Sequence, residues 1–199
     1  MRMSNDKRRE INWKIVDVGP SVGGKTTDIR FSGQSVPAVS RGPWQSSNAD
    51  GDRTLFFDYF ALEIAEIQGF KTQFLIYGVP GQPYYKSTRK MVLNGVDGIV
   101  FIDDSDEYRM SDNLESLLDM KSMLKDYGYN YNEIPLVLQY NKRDLPSVTP
   151  ANEMEQVLND RQCDSFEAVA IQGRGVIETF KAICASVVER LNKTLSVKK

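Results

Sequence analysis

The stretch Gly19-Pro20-Ser21-Val22-Gly23-Gly24-Lys25-Thr26-Thr27 decides how the rest of the chain is interpreted. It fits the pattern G-x-x-x-x-G-K-[ST] without a gap, and the odds of a chance match in a chain of this length are on the order of one in a hundred. The apolar run at 11–18 is typical of a strand, and residues 26–30 favour the start of a helix. Since the motif requires this strand–loop–helix context, we expect the stretch to bind nucleotide phosphates.

Each residue type in the stretch has a chemical reason. Glycines allow a tight loop, in which successive backbone N–H groups and the start of a helix attract an anion. Lys25 is expected to reach the β- and γ-phosphates, and the Thr26 hydroxyl is expected to bind Mg²⁺. A glycine-rich turn that binds nothing is the simpler interpretation, and the flanking elements disfavour it. We therefore assign residues 19–27 to nucleotide binding.

Composition limits the class of protein. The chain has 199 residues, of which 41% are hydrophobic and 26% charged, and these values suit one globular domain with a buried core. We expect a flexible N-terminus at 1–8, a single domain at 9–195 and a short tail at 196–199. The net charge of −2 offers no basic face for a nucleic acid. Without histidine, any general base or metal ligand must be a carboxylate, hydroxyl, amide or backbone group.

The cysteines and the apolar runs bear on location. Cys163 and Cys184 are too few for a disulfide framework, and no apolar run approaches the length of a membrane span. The sequence also shows no signal peptide, no N-terminal acylation pattern and no prenylation cysteine. We expect a cytoplasmic protein without a membrane anchor.

Strand and helix patterns alternate along the chain, which predicts an α/β fold with a mostly parallel central sheet and helices on both faces. Residues 34–51 are expected to form a long loop, and Thr149 is expected to cap the helix that follows it. Ligands of such folds bind at the carboxyl ends of the strands. The predicted strands lie at 11–18, 54–60, 62–67, 70–79, 98–102, 134–140 and 166–170. The predicted helices begin near 26 and extend over 84–93, 110–127, 150–158 and 176–191.

A second motif, Asn141-Lys142-Arg143-Asp144, directly follows the predicted strand at 134–140 and matches N-K-x-D. The Asp144 carboxylate can accept hydrogen bonds from N1–H and the exocyclic amine of guanine, whereas adenine offers neither donor. Sites that leave a buried group unpaired with the wrong ligand discriminate by roughly four to five decades. Asn141 is expected to contact guanine N7 and the phosphate loop, and the Lys142 stem is expected to pack over the base. The motif therefore predicts a guanine nucleotide.

These motifs together resemble those of the Ras-like small GTPases, and further stretches narrow the resemblance to the MglA type, the bacterial cell-polarity and gliding-motility GTPases. The similar stretches include residues 52–58, 79–82 and 139–146. The resemblance implies a Ras-like G domain of the phosphate-loop NTPase class, with GTP or GDP as ligand and Mg²⁺ as cofactor. It also implies that the protein hydrolyses GTP.

The resemblance assigns roles to further residues. Thr54 is similar to the threonine that senses the γ-phosphate, so Thr26 and Thr54 are the expected metal ligands. Gln82 is similar to the glutamine that orients the attacking water. Arg53 is similar to an arginine that stabilises the charge of the transition state from within the same chain, which can add roughly three decades in rate.

The resemblance also extends the set of nucleotide contacts and implies partners. Gly81 is carried over as a nucleotide-binding residue, and the backbone N–H of Ala170 is expected to meet guanine O6. The implied partners are a roadblock-type (MglB-like) GTPase-activating protein and effectors of polarity or motility, with recruitment to a cell pole.

Two residues depart from the family pattern. Gly78 stands where Ras-like proteins carry an aspartate that holds Mg²⁺ through water. Mg²⁺ would then rest on Thr26, Thr54, phosphate oxygens and water, with help from Asp58 as a hypothesis. Ser21 stands where a glycine is usual, close to the expected γ-phosphate, where a small displacement slows hydrolysis.

We expect a GTP/GDP switch with slow intrinsic turnover, and the alternative is a hydrolysis-impaired GTP-binding interaction module. A phosphate-loop kinase is disfavoured because it leaves Asn141 and Asp144 unexplained.

Overall fold

The computed structural model describes residues 4–5, 10–35, 40–42, 45–46, 57–67 and 70–196. Within these ranges, strands form one sheet and helices cover it. The strands are β1 (Ser4–Asn5), β2 (Glu10–Val18), β3 (Gln45–Ser46), β4 (Asp58–Ile67), β5 (Phe70–Gly78), β6 (Gly98–Asp104), β7 (Leu136–Asn141) and β8 (Ser165–Glu167). The helices are α1 (Lys25–Ser35), α2 (Lys86–Leu93), α3 (Met110–Asp126), α4 (Ala151–Leu158) and α5 (Val176–Ser196).

The sheet follows the order β3-β4-β5-β2-β6-β7-β8, and β1 pairs with the start of β2. Five consecutive strands of this order are parallel to one another: β5, β2, β6, β7 and β8. In contrast, β4 pairs antiparallel with β3 and β5, and β1 pairs antiparallel with β2. Because β2, β6 and β7 are parallel, the loops that follow them lie at the same edge of the sheet.

Two hydrophobic clusters cover the two faces of the sheet, which confirms the predicted arrangement of layers. On one face, α2, α3 and α4 pack against residues such as Phe101 and Leu138. On the other face, α1 and α5 pack against residues such as Ile76 and Val137. β6 is buried along its whole length, as its continuous apolar run predicts for a central parallel strand.

Three details of the predicted elements are wrong. Residues 58–67 form one continuous strand rather than two strands, and 54–56 lie outside the described residues. The last strand ends at Glu167 instead of Ala170, because the amide of Val169 donates to Arg174 O instead of continuing the ladder. Thr149 does not cap α4: Pro150 occupies the N-cap position.

The N-cap of α4 has no side-chain hydrogen bond. Thr149 instead forms hydrogen bonds with the neighbouring loops through its backbone. The Thr149 amide donates to Ser105 O at 2.8 Å, and its carbonyl accepts a bond from Arg143 Nη1 at 2.6 Å. Thr149 therefore ties the loop after β6 to the loop after β7. No helix within the described ranges is long and apolar enough to cross a membrane.

Candidate guanine-nucleotide site

The phosphate loop joins Val18, at the end of β2, to Lys25, at the start of α1. The amide of Gly23 donates to Pro20 O at 3.3 Å, which closes the loop on itself. Gly24 has φ +103°, and a Cβ at this position would overlap with Asn141 Nδ2. Only glycine combines this backbone conformation with such a close approach of a neighbouring side chain.

Lys25 turns its ammonium group into the loop. Its Nζ donates to Gly19 O at 2.9 Å and to Pro20 O at 2.6 Å, and the side chain is buried. Burial lowers the pKa of Lys25 to about 7, and the positive charge of Arg89 contributes in the same direction. The lysine charge is therefore held where a phosphate group would stabilise it.

The first turn of α1 carries the two threonines of the motif. The Thr26 hydroxyl donates to Asp58 Oδ2 on β4 at 2.7 Å, and Thr27 is exposed. Asp58 is buried and lies directly opposite Gly78 in the register of β4 and β5. The register thus places a carboxylate directly opposite the position that lacks one.

A hydroxyl and a carboxylate at the start of α1 form the oxygen-rich donor set that Mg²⁺ prefers, so Thr26 and Asp58 fit this ion. A Cβ on Gly78 would overlap with Ile29 Cδ1 from α1. A side chain at position 78 would therefore require the Ile29 side chain to move.

The N-K-x-D motif lies at the end of β7 and contacts the phosphate loop. Asn141 Nδ2 donates to Gly23 O at 2.9 Å, while Asn141 Oδ1 accepts a bond from Ala170 N at 2.9 Å. The Asn141 side chain is buried and thereby joins three loops in one unit. The contact of the Ala170 amide with guanine O6 remains a prediction. In the structure, this amide donates to Asn141 Oδ1.

Of the remaining residues of the motif, Asp144 is exposed, whereas Lys142 and Arg143 are half-buried. Lys142 has φ +63° and donates from Nζ to Asp104 Oδ2 at 2.6 Å. A positive φ is uncommon for a lysine, so the backbone at Lys142 differs from that of most loop residues. In this conformation the side chain reaches Asp104.

The segment that carries Gln82 lies against the phosphate loop. A Cβ on Gly81 would overlap with the backbone of Pro20 and Ser21, so the two loops touch here. Arg89 on α2 donates to Pro80 O at 3.2 Å and to Gln82 O at 2.6 Å. This buried arginine therefore fixes the backbone on both sides of Gly81, while the Gln82 side chain stays half-buried.

Two predicted residues, Arg53 and Thr54, lie outside the described residues. The described part of the site therefore includes the phosphate loop, Gly81, Gln82, the N-K-x-D motif and Ala170. A cavity of about 250 Å³ opens beside the phosphate loop, between α2 and α3. It is lined in part by Pro20, Ser21, Gly81, Lys86, Arg89 and Arg109.

Sequence reasoning missed two groups of polar residues beside the site. Asp104 ends β6 and contacts Lys142, and Arg109 follows β6 and contacts Ser21. Asp28 on α1 accepts a bond from Gln139 Nε2 on β7 at 2.6 Å beneath the loop. The signal for Asp104 was present, because a charged residue at the carboxyl end of a buried parallel strand is typical of a ligand site.

Buried acids surround the base of the phosphate loop. Burial raises the pKa of Asp28 to about 7, although the bond from Gln139 opposes this shift. Burial and the neighbouring Asp28 raise the pKa of Asp17 well above its usual value. Burial thus raises the pKa of both acids beneath the loop, and Asp17 in turn raises the pKa of Lys25 against the larger effect of burial.

Three matches to known proteins agree with this assignment. The family model of the ADP-ribosylation factor family matches residues 56–187. The chain is 46% identical over 193 residues to the mutual gliding-motility protein MglA of Myxococcus xanthus, a match that covers 97% of this chain and 99% of that protein. It is 24% identical over 192 residues to ADP-ribosylation factor-like protein 2 of Arabidopsis thaliana, which covers 93% of this chain and 92% of that protein.

A phosphate loop joined through Asn141 to an N-K-x-D loop, at the carboxyl edge of a parallel sheet, defines a small GTPase. Within that class, the chain belongs to the Ras-like small GTPases of the MglA type, matched by the ADP-ribosylation factor family. The expected fold class and GTPase activity are thereby confirmed.

Proposed function

We propose that this protein is a GTP/GDP switch that binds GTP with Mg²⁺, hydrolyses it slowly without help, and acts in bacterial cell polarity or gliding motility. The observation that carries the proposal is the double contact of Asn141 with Gly23 and Ala170. It holds the phosphate loop and the loops expected to read the base in one fixed arrangement. We also propose that residues 9–195 act as a single GTPase domain.

In this proposal, the phosphates lie in the loop at residues 19–24, where backbone N–H groups and the start of α1 attract the anion. Lys25 is already inside the loop and would exchange its carbonyl partners for phosphate oxygens. Asp144 would accept the two donors of guanine, and the Lys142 stem would cover the base.

Thr26, Asp58 and Thr54 would hold Mg²⁺, which when bound neutralises charge that develops on the phosphates. The contact of the Thr26 hydroxyl with Asp58 supports this set, because it brings a carboxylate of β4 to the hydroxyl at the start of α1. Asp58 takes the place of the aspartate that the family usually carries at the position of Gly78.

For hydrolysis, we propose that Gln82 orients the attacking water and that Arg53 stabilises the charge of the transition state. Arg89 supports this role of Gln82, since it fixes the carbonyls of Pro80 and Gln82. Because backbone placement alone does not place the Gln82 side chain, intrinsic turnover is expected to be slow.

Ser21 supports a slow rate as well. Its carbonyl accepts a bond from Arg109 Nη2 at 2.7 Å, so its backbone is held in place and its side chain cannot move far from the expected γ-phosphate. If Ser21 prevents hydrolysis altogether, the protein is the alternative, a GTP-binding interaction module.

The partners follow from the same family assignment. We propose a roadblock-type (MglB-like) protein as the activator, and polarity or motility proteins as effectors of the GTP form. The name of the Myxococcus xanthus relative, a mutual gliding-motility protein, supports a role in motility. We propose a cytoplasmic protein that is recruited to a cell pole.

The test is single-turnover hydrolysis of GTP with and without a roadblock-type partner. We expect the partner to raise the rate, and Arg53→Ala to remove roughly three decades of the stimulated rate. Arg190→Ala on α5 is the control and should leave the stimulated rate unchanged. Stimulation that survives Arg53→Ala would reject the internal arginine, and retained GTP under all conditions would favour the interaction module.

A further inference from the structure

Asp104 lies between the loop that follows β7 and the phosphate loop. It is the last residue of β6 and its side chain is buried. Its Oδ2 atom accepts a bond from Lys142 Nζ at 2.6 Å and lies 3.5 Å from Arg109 Nε. One carboxylate oxygen is therefore shared by two cationic side chains from different loops.

Arg109 carries the contact onward to the phosphate loop. Its Nη2 donates to Ser21 O at 2.7 Å, and its remaining nitrogen, Nη1, pairs with Asp112. Each of the three guanidinium nitrogens thus has a nearby oxygen partner, of which the one at Nε is an ion pair at 3.5 Å. The planar, rigid guanidinium group can hold several acceptors in a fixed relation, which a lysine cannot do.

The Asp104 carboxylate is itself fixed in position. Asn113 on α3 accepts a bond from the Asp104 amide at 2.9 Å and donates to the Asp104 carbonyl at 2.8 Å. The Oδ1 atom accepts a bond from the Asp106 amide at 3.2 Å. A carboxylate that is buried and immobile strongly needs its cationic partners, because an uncompensated buried charge is destabilising.

We propose that Asp104 and Arg109 are positioning residues that couple the guanine-reading lysine to the phosphate loop. If the Lys142 ammonium moves away from Asp104, the carboxylate attracts Arg109 more strongly. The distance from Arg109 Nε to Asp104 Oδ2 then falls below its present 3.5 Å, and Arg109 moves away from the Ser21 carbonyl. If Lys142 stays over a bound base, Arg109 can keep its bond to Ser21. Occupation of the base site thereby stabilises the loop conformation at the phosphate site.

The inference rests on the nucleotide site proposed above, and a double-mutant cycle tests it separately. Lys142→Met keeps the apolar stem over the base and removes the charge, whereas Arg109→Gln removes the bridge to Ser21. The affinity for fluorescent GDP is measured for both single variants and the double variant. Residues that share one partner are expected to give non-additive effects, whereas independent residues give additive ones.

We expect each single substitution to weaken GDP binding roughly tenfold, and the double substitution to weaken it by about 10- to 20-fold instead of 100-fold. In an Asp104→Asn background, either substitution should change the affinity by less than about twofold. Lys125→Met, at an exposed position on α3, is the matched control, because it removes a lysine charge away from Asp104 and Arg109. This control should bind GDP as the wild type does.

The rate of hydrolysis of bound GTP separates positioning from a general loss of structure. Arg109→Gln should change this rate, because Ser21 moves, and Lys142→Met should change it in the same direction through Asp104. If Asp104 only stabilised the fold, Asp104→Asn would lower the melting temperature, but Arg109→Gln and Lys142→Met would not change the rate of GTP hydrolysis in the same direction.

Additive effects of Lys142→Met and Arg109→Gln would overturn the proposal. Both side chains are partly exposed, so the cycle decides the question even if Asp104→Asn does not fold. A wild-type protein that fails to bind GDP at all would instead reject the nucleotide site, and the coupling with it.

Discussion

At the residue scale, Gly24 and Asn141 determine how closely the phosphate loop and the N-K-x-D loop approach each other. The Asn141 amide occupies the space that a side chain at position 24 would need. The bond from Asn141 to Gly23 O therefore depends on the missing Cβ of its neighbour. The glycine of the motif has a packing role in addition to its conformational one.

We predict that Gly24→Ala weakens GDP binding by roughly a hundredfold, because Asn141 must move and leaves Gly23 O without its donor. Gly128→Ala is a matched control, since Gly128 also has a positive φ, of +75°, but its Cβ would meet nothing within 4 Å. The control should cost about 1 kcal/mol of stability through backbone strain and leave binding intact. Equal loss of GDP binding in both variants would contradict this account.

Asp58 gives a second prediction at this scale. Asp58→Asn keeps an acceptor for the Thr26 hydroxyl but removes the negative charge beside it. The Mg²⁺ concentration needed for half-maximal retention of GDP should rise by roughly tenfold or more, because groups that support a metal site have effects of this size. Glu63→Gln, an exposed change on the same strand, is the control. An unchanged Mg²⁺ requirement in Asp58→Asn would exclude Asp58 from the metal site.

At the scale of elements, α1 is fastened to the sheet by a buried polar contact as well as by apolar packing. Asp28 on α1 meets Gln139 on β7, and burial raises the pKa of Asp28 to about 7. In the unfolded chain this pKa is close to 3.8. The folded state therefore holds a proton that the unfolded chain releases, so the stability from this group is complete at low pH and is lost as the pH rises through 7.

We predict that Asp28→Asn becomes more stable relative to the wild type as the pH rises. The difference in the free energy of unfolding should shift by about 1 kcal/mol in favour of the variant between pH 6 and 7.5. Lys25, with a pKa lowered to about 7, gives the opposite slope, but it does so in both proteins. Urea unfolding of the nucleotide-free proteins at both pH values measures the difference.

The control for this experiment is Glu115→Gln, at an exposed position on α3. Its free energy of unfolding should follow that of the wild type across the same pH range. Parallel curves for Asp28→Asn and the wild type would show that Asp28 is not protonated in the folded state, and the assigned pKa shift would be wrong.

Periodicity predicted which elements exist better than it predicted where they end. The buried run at 98–102 and the helix at 110–127 were close to the observed β6 and α3, because apolar spacing reports directly on burial. The end of β8 and the cap of α4 were wrong, because tertiary hydrogen bonds decide them. The amide of Ala170 is taken by Asn141, and Thr149 bonds to the loops around it.

At the scale of the whole molecule, the contacts of the site depend on segments that are far apart in the sequence. The phosphate loop and the N-K-x-D motif could be predicted because the residues that define each of them are contiguous in the sequence. The contact of Arg109 with Ser21 could not, because it arises from the approach of the loop after β6 to the phosphate loop. Asp58 was only a hypothesis, because its pairing with Gly78 depends on the register of β4 with β5. Neither relation leaves a local pattern.

The proposed function as a GTP/GDP switch depends on guanine recognition at one preformed site. Competition for bound fluorescent GDP in the presence of Mg²⁺ tests it most directly, with unlabelled GTP and ATP as competitors. We predict that GTP displaces the probe at concentrations roughly four decades lower than ATP, and that Asp144→Asn reduces this preference. Displacement by ATP at concentrations similar to those of GTP would contradict the account.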